Sequence, residues 1–207
     1  MFVENKEAFF PEINEVEKSA TIIKEELIAI LSSYENIPKI HELDKLNKAI
    51  SFDEGPGWRT FYLKTYGGWF KQNCERCRKT YKLFEGMNNI SSVMFSIMEP
   101  GNNIPPHTGK FAGVFRYHLP LIVPGKGKCE ISVGGQVKEY NENQSIMFDD
   151  TNEHFVVNES DSFRAVLYLD IDKKAGFITG LVNHFFMKLI YWSPKFKEAV
   201  KKSFKNE

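Results

Sequence analysis

The chain has 207 residues, with 27 lysines and arginines against 27 aspartates and glutamates. That length suits one domain with a real core, and zero net charge lacks the basic excess that nucleic-acid binders carry. At 42% hydrophobic and 26% charged residues, the composition excludes intrinsic disorder.

Three cysteines, Cys74, Cys77 and Cys129, are too few for a disulfide framework, and the odd number points to a reducing compartment, with the cytoplasm expected. The opening residues lack a basic leader before an apolar run, and no stretch is long and apolar enough to span a bilayer.

In chain order, Ile13, Val16, Ala20, Ile23, Leu27, Ile30 and Tyr34 recur at steps of three and four, which predicts an amphipathic helix ending before Ile37-Pro38. A charged helix is expected over 71–84. Between Ile90 and Ile171 short β-type runs alternate with turn signals, the texture of a sandwich or barrel. The expected strands are 92–98, 114–123, 128–133, 136–140, 145–148, 154–157 and 162–171, with Gly134-Gly135 as a two-residue hairpin turn. Helical texture returns after Asp172. The reading is therefore a mainly β chain with helical flanks: 1–56, a β core over 57–172, and 173–207.

His107 follows a Pro- and Gly-rich approach, and His154 follows four polar residues after a hydrophobic strand, so both are expected at strand mouths. In a double-stranded β-helix two such histidines can converge on one metal, although unrelated loop histidines are the simpler reading of the pair alone. The run Val114-Phe115-Arg116-Tyr117-His118-Leu119 adds weight. Alternation puts Phe115, Tyr117 and Leu119 on one face and Arg116 with His118 on the other, toward a barrel interior. Arg164 opens a second apolar strand. Buried arginines require anions, and a small dicarboxylate would satisfy both; internal salt bridges to Asp149, Asp150 or Asp170 are the competing reading.

These residues carry a family resemblance. Gly57-Trp58, Phe61 to Gly67, Met98-Glu99-Pro100-Gly101, Pro106-His107-Thr108-Gly109, Arg116-Tyr117-His118-Leu119, Phe148-Asp149-Asp150, Glu153-His154 and Ser162-Phe163-Arg164 resemble, in order and spacing, the aspartyl/asparaginyl β-hydroxylases. That family comprises Fe(II)- and 2-oxoglutarate-dependent oxygenases with a double-stranded β-helix (jelly-roll) core, and includes bacterial lipid A hydroxylases.

The resemblance implies His107 and His154 as iron ligands, and Arg164 with Ser96 at the distal carboxylate of 2-oxoglutarate. Arg116 and His118 would sit near its metal-binding end, and Asp150 would orient a ligand or accept from a metal-bound water. Gly109 departs from the acidic residue that most such oxygenases place two after the first histidine. The implied reaction uses O2 to hydroxylate an Asp or Asn side chain in a peptide or protein, with succinate and CO2 as co-products. A lipid fatty-acyl substrate is the alternative, and a non-oxidative metal-binding barrel the third reading.

Other signals read as structural. Cys74-x-x-Cys77 has no second pair and falls in a charged segment, and His41 and His184 are expected to pack or face solvent. Lys110 with Trp58, Phe61, Tyr62, Tyr66 and Trp69 would line a substrate entrance, although alternation favours the core for most of the aromatics. The apolar stripe of 177–190 with its lysine-rich continuation is expected to dock on its own core or a dimer partner. Peripheral membrane contact through 177–205 is the sharper alternative.

Overall fold

The computed structural model describes residues 1–43, 50–51, 55–65, 68–109 and 111–173. Within them the strands are β1 (Trp58–Thr65), β2 (Gly68–Trp69), β3 (Ile90–Met98), β4 (Asn103–His107), β5 (Val114–Ile122), β6 (Lys128–Val133), β7 (Gln136–Glu139), β8 (Ile146–Phe148), β9 (His154–Glu159) and β10 (Arg164–Asp172). They pair antiparallel into a six-stranded sheet, β2-β1-β3-β10-β5-β8, and a four-stranded sheet, β4-β9-β6-β7. Met98, Phe148 and Val166 of the large sheet pack with Ile104, Ile131, Val133 and Val156 of the small one. The sheets thus face each other across a shared interior, as a double-stranded β-helix.

The large sheet is buried on both sides. Its outer face contributes Val93, Phe95, Ile97, Tyr117, Leu119, Leu121, Ala165, Leu167, Leu169 and Ile171 to a second core. Helices α1 (Ile13–Lys18), α2 (Ala20–Leu31), α4 (Lys71–Arg76) and α5 (Arg78–Phe84) close that core; α3 (Ile40–Leu43) precedes β1. Residues between those outer positions point inward: Met94, Ser96 and Met98 of β3; Arg116 and His118 of β5; Arg164, Val166, Tyr168 and Asp170 of β10. The alternation expected for β5 is therefore realised, with Tyr117 fully buried under the helices.

The expected first helix keeps its buried stripe but divides at Ser19. There the serine hydroxyl donates to the Glu15 carbonyl at 2.9 Å, which competes with the regular ladder. The second divides at Cys77. Its restart exposes N–H groups that Glu26 of α2 accepts, from Lys79 at 2.8 Å and Thr80 at 2.9 Å, with the Thr80 hydroxyl adding a third bond at 2.7 Å. One carboxylate thus caps α5 and pins it to α2. Both glycines of the 134–135 hairpin have positive φ, +56° and +80°, as a two-residue turn with the strand twist requires.

Strand β4 is absent from the sequence expectation, because Pro105-Pro106 reads as a turn. It is the edge of the small sheet, where prolines lacking N–H are tolerated. The three cysteines are free and buried, and His41 is buried with Nδ1 2.8 Å from the Ser51 hydroxyl. Tyr66, Lys110, His184 and the whole 174–207 segment lie outside the described residues.

Glu26→Ala removes the only side-chain bonds described at the start of α5. Chemical denaturation is expected to register a loss of about 1–2 kcal/mol, with the β core still folded.

Candidate active site

Antiparallel pairing of β4 with β9 sets His107 directly opposite His154, with ring centroids 4.1 Å apart. Each ring is oriented by its own loop. His107 Nδ1 lies 2.8 Å from the Pro105 carbonyl and His154 Nδ1 2.9 Å from the Asn152 carbonyl. A carbonyl only accepts, so both Nδ1 atoms carry the proton and both Nε2 atoms keep a lone pair for a ligand. Burial holds the His107 pKa below its usual value and takes His154 down to about 4, so both rings are neutral near pH 7 and suited to a metal ion. No cluster of three His, Cys, Asp or Glu side chains in metal-binding arrangement exists among the described residues. The two facing imidazoles, His107 and His154, therefore stand without a carboxylate at residue 109 beside them.

The missing acid has a structural counterpart. A Cβ built on Gly109 would stand 2.0 Å from Asp150 Oδ2, while the Gly109 N–H donates to the Asp150 carbonyl at 2.7 Å. The space that a residue-109 side chain would need is filled by the Asp150 carboxylate. Asp150 is 1% exposed, its Oδ2 accepts from Arg116 Nε at 2.8 Å, and its buried Oδ1 has no partner. Burial raises its pKa despite the opposing Arg116 charge.

The two inward arginines differ. Arg116 bonds both Asp150 and Asp170, its cross-strand partner on β10. The internal-salt-bridge reading thus holds for Arg116, which does not wait for a ligand to balance it. Asp149 pairs instead with Lys173 at 2.7 Å. Arg164 is 1% exposed and has no ion pair among the described residues. Its NH2 donates to the Tyr140 hydroxyl at 2.7 Å, its NH1 reaches Ser96 Oγ at a long 3.5 Å, and its Nε is buried without an acceptor. A guanidinium sealed in this way calls for an anion.

Ser96 lies across from Val166 on β10, and its Oγ accepts from the Trp58 indole at 3.0 Å. The serine accepts in both of its bonds, so its own hydrogen is left to donate. Trp58 is set by the residue before it: the Gly57 N–H donates to Glu99 Oε2 at 2.5 Å, and a Cβ at 57 would meet Glu99 Oε1 at 2.8 Å. His118 is 4% exposed, with Nδ1 3.0 Å from the Tyr140 hydroxyl and Nε2 unpartnered. Burial, aided by Arg164, drives its pKa well below the usual histidine value.

The structure therefore brings together the candidates named from sequence: His107 and His154 at the mouth, Asp150 and Arg116 beside them, Ser96, His118 and Arg164 on the inner face. It adds Tyr140, and it places Trp58 against Ser96 and Asp170 against Arg116. Tyr140 ends an otherwise polar, solvent-facing strand, so nothing in its sequence context separates it from a packing aromatic.

Fold and site define a class: a double-stranded β-helix with paired histidines at its mouth and, behind them, a buried arginine without a carboxylate partner among the described residues. The chain belongs to the aspartyl/asparaginyl β-hydroxylase family, whose profile matches residues 17–174, and so to a family of hydroxylase enzymes. It is 35% identical over 194 residues to the ornithine lipid ester-linked acyl 2-hydroxylase of Rhizobium tropici, covering 93% of this chain and 68% of that one. It is 32% identical over 146 residues to the aspartate β-hydroxylase domain-containing protein 2 of Xenopus tropicalis, 67% of this chain and 39% of that one. With the human aspartyl/asparaginyl β-hydroxylase it shares 27% identity over 164 residues, 77% of this chain and 21% of that one.

Gly109→Asp is expected to destabilise the fold by about 1–3 kcal/mol, since its side chain needs the space of the Asp150 carboxylate. Combining it with Asp150→Gly should recover much of that loss in urea denaturation, moving the acid from one loop to the other.

Proposed function

We propose that this chain is an Fe(II)- and 2-oxoglutarate-dependent hydroxylase that acts on a lipid-linked fatty-acyl chain, at the methylene beside its carbonyl. The observation that carries the co-substrate is Arg164, a sealed guanidinium with no described carboxylate to balance it. A dicarboxylate supplies the charge, and a forked pair of hydrogen bonds suits a carboxyl group.

When bound, iron with 2-oxoglutarate and O2 supplies the oxidising chemistry for an unactivated C–H bond, with succinate and CO2 as co-products. His107 and His154 hold the metal through Nε2. Arg164 and the hydrogen of Ser96 bind the distal carboxylate, while His118 Nε2–H and Arg116 face the other end. Asp150, fixed by Arg116, sets a carboxylate close enough to His107 to raise that imidazole's affinity for protons and cations. Both ligand imidazoles are kept neutral by burial, so metal binding displaces no proton from them near pH 7.

Two observations favour a lipid. The Rhizobium relative, named for an acyl 2-hydroxylation, matches along 93% of this chain. Moreover, Arg116 already balances two carboxylates, and Arg164 is taken by the co-substrate, so neither inward arginine remains for a substrate carboxylate. A lipid substrate places the work at a membrane surface, and no described helix is long and apolar enough to cross one.

Hydroxylation of an Asp or Asn side chain is the second reading, favoured by Pro106-His107-Thr108-Gly109 and by the relatives named for aspartate β-hydroxylation. The two readings share their chemistry. C2 of an acyl ester and the β-carbon of aspartate are both methylenes next to a carbonyl.

Anaerobic titration of the Fe(II)-loaded protein with 2-oxoglutarate is expected to give the weak visible charge-transfer band of a chelate. His107→Ala and His154→Ala should abolish it. Arg164→Ala should keep the metal and raise the 2-oxoglutarate requirement roughly 10- to 100-fold. No band in the unmutated protein overturns the reading in favour of a non-oxidative metal module. Under turnover, a +16 product on an acyl lipid and none on Asp-containing peptides is expected; the reverse selects the peptide reading.

A further inference from the structure

Tyr140 stands one residue beyond β7 and continues its pairing, its N–H donating to the Cys129 carbonyl at 3.0 Å. Its side chain crosses the interior from the small sheet to the large one. There the hydroxyl meets two residues on different strands, Arg164 NH2 of β10 at 2.7 Å and His118 Nδ1 of β5 at 3.0 Å. The His118 ring stacks on the phenol at 22° between planes, and the Arg164 guanidinium carbon lies 4.4 Å from the phenol centroid. Tyr140 is 3% exposed.

One hydroxyl has one hydrogen, and that decides the direction of both bonds. A guanidinium only donates, so the phenol oxygen accepts from Arg164. Burial raises the phenol pKa, so the hydroxyl keeps its hydrogen, and His118 Nδ1 is the acceptor within reach. The opposite assignment, with Nδ1–H donating, would leave a buried hydroxyl hydrogen with no described acceptor. With Nδ1 accepting, the neutral His118 ring carries its proton on Nε2. That Nε2 and Arg164 Nε are both buried without partners among the described residues, two N–H donors with no described acceptor.

We propose that Tyr140 is the positioning residue of the anion pocket: its hydrogen fixes His118 as an Nε2–H donor, and its oxygen holds Arg164 in place. One side chain thereby readies both ends of the pocket before any anion enters. The inference rests on the reading of this pocket as the 2-oxoglutarate site, and it assigns a role that neither the two-histidine mouth nor Arg164 alone provides. Preorganisation of this kind lowers the ordering cost of binding.

The test uses the full chain loaded with Zn(II), which binds without turnover. Nitrogen-15 NMR of labelled histidines, with His118→Gln for assignment, should find the His118 proton on Nε2 in the unmutated protein. In Tyr140→Phe the His118 nitrogens should shift toward a tautomer mixture. The Kd for 2-oxoglutarate, read by calorimetry, should rise roughly 10- to 100-fold while the Zn(II) affinity and Tm stay close to those of the parent. An Nε2-protonated ring that persists in Tyr140→Phe, or unchanged 2-oxoglutarate affinity, overturns the proposal. Should the phenylalanine variant fail to fold, the tautomer of the unmutated protein still decides: a proton on Nδ1 refutes it. If the unmutated protein binds no 2-oxoglutarate, the functional reading fails, whereas the tautomer result stands on its own.

Discussion

Burial of the large sheet on both faces is the constraint from which the site follows. In β3, β5 and β10 every second side chain must serve the helical layer, and those between must serve the interior. Tyr117 and Leu119 belong to one neighbourhood, Arg116 and His118 to the other, although they alternate along one strand. A slip of one residue in β10 would turn Leu167 toward the interior and Arg164 toward the helical layer. The fold therefore fixes the inner face with the same pairing that holds the outer one, and polar chemistry is tolerated inside only at positions where hydrogen bonds receive it.

This explains what was legible in the sequence. The helical stripe from Ile13 to Ile30 and the alternation in 114–119 are periodic, and period reports which face is buried. The inward set of Arg116, His118 and Arg164 follows from it. What was hidden depends on contacts between distant segments. Glu26 restarting a helix at Arg78, and Glu99 forbidding a side chain at residue 57, leave no periodic trace. The partner of Arg116 was open between ligand and protein because alternation gives direction, not distance. Strand β4 was missed for a different reason: two prolines look like a turn unless the position is known to be an edge.

Electrostatically the interior is asymmetric. Near the mouth one guanidinium is shared by two carboxylates, and deeper in, a second guanidinium bonds only hydroxyls among the described residues. A net charge of zero over the whole chain conceals this separation. Anionic character lies beside the paired histidines and cationic character behind them, so under the proposed function a metal ion and a dicarboxylate would each meet the complementary sign. Asp150 takes part by filling the space that a side chain at Gly109 would occupy, so a carboxylate remains close to the histidines while reaching them from another loop.

The edge position of β4 has a consequence for how this molecule meets others. A β-sheet edge ordinarily invites a further strand, and an incoming peptide can add itself there by main-chain pairing. Pro105 and Pro106 carry no N–H, and because successive N–H groups of a strand point to opposite sides, one of the two falls on the side such an addition would use, just before the histidine that the edge carries. The rim of the mouth on this side is consequently a poor template for strand addition. Polypeptides, including copies of this chain, are discouraged from zippering along this edge.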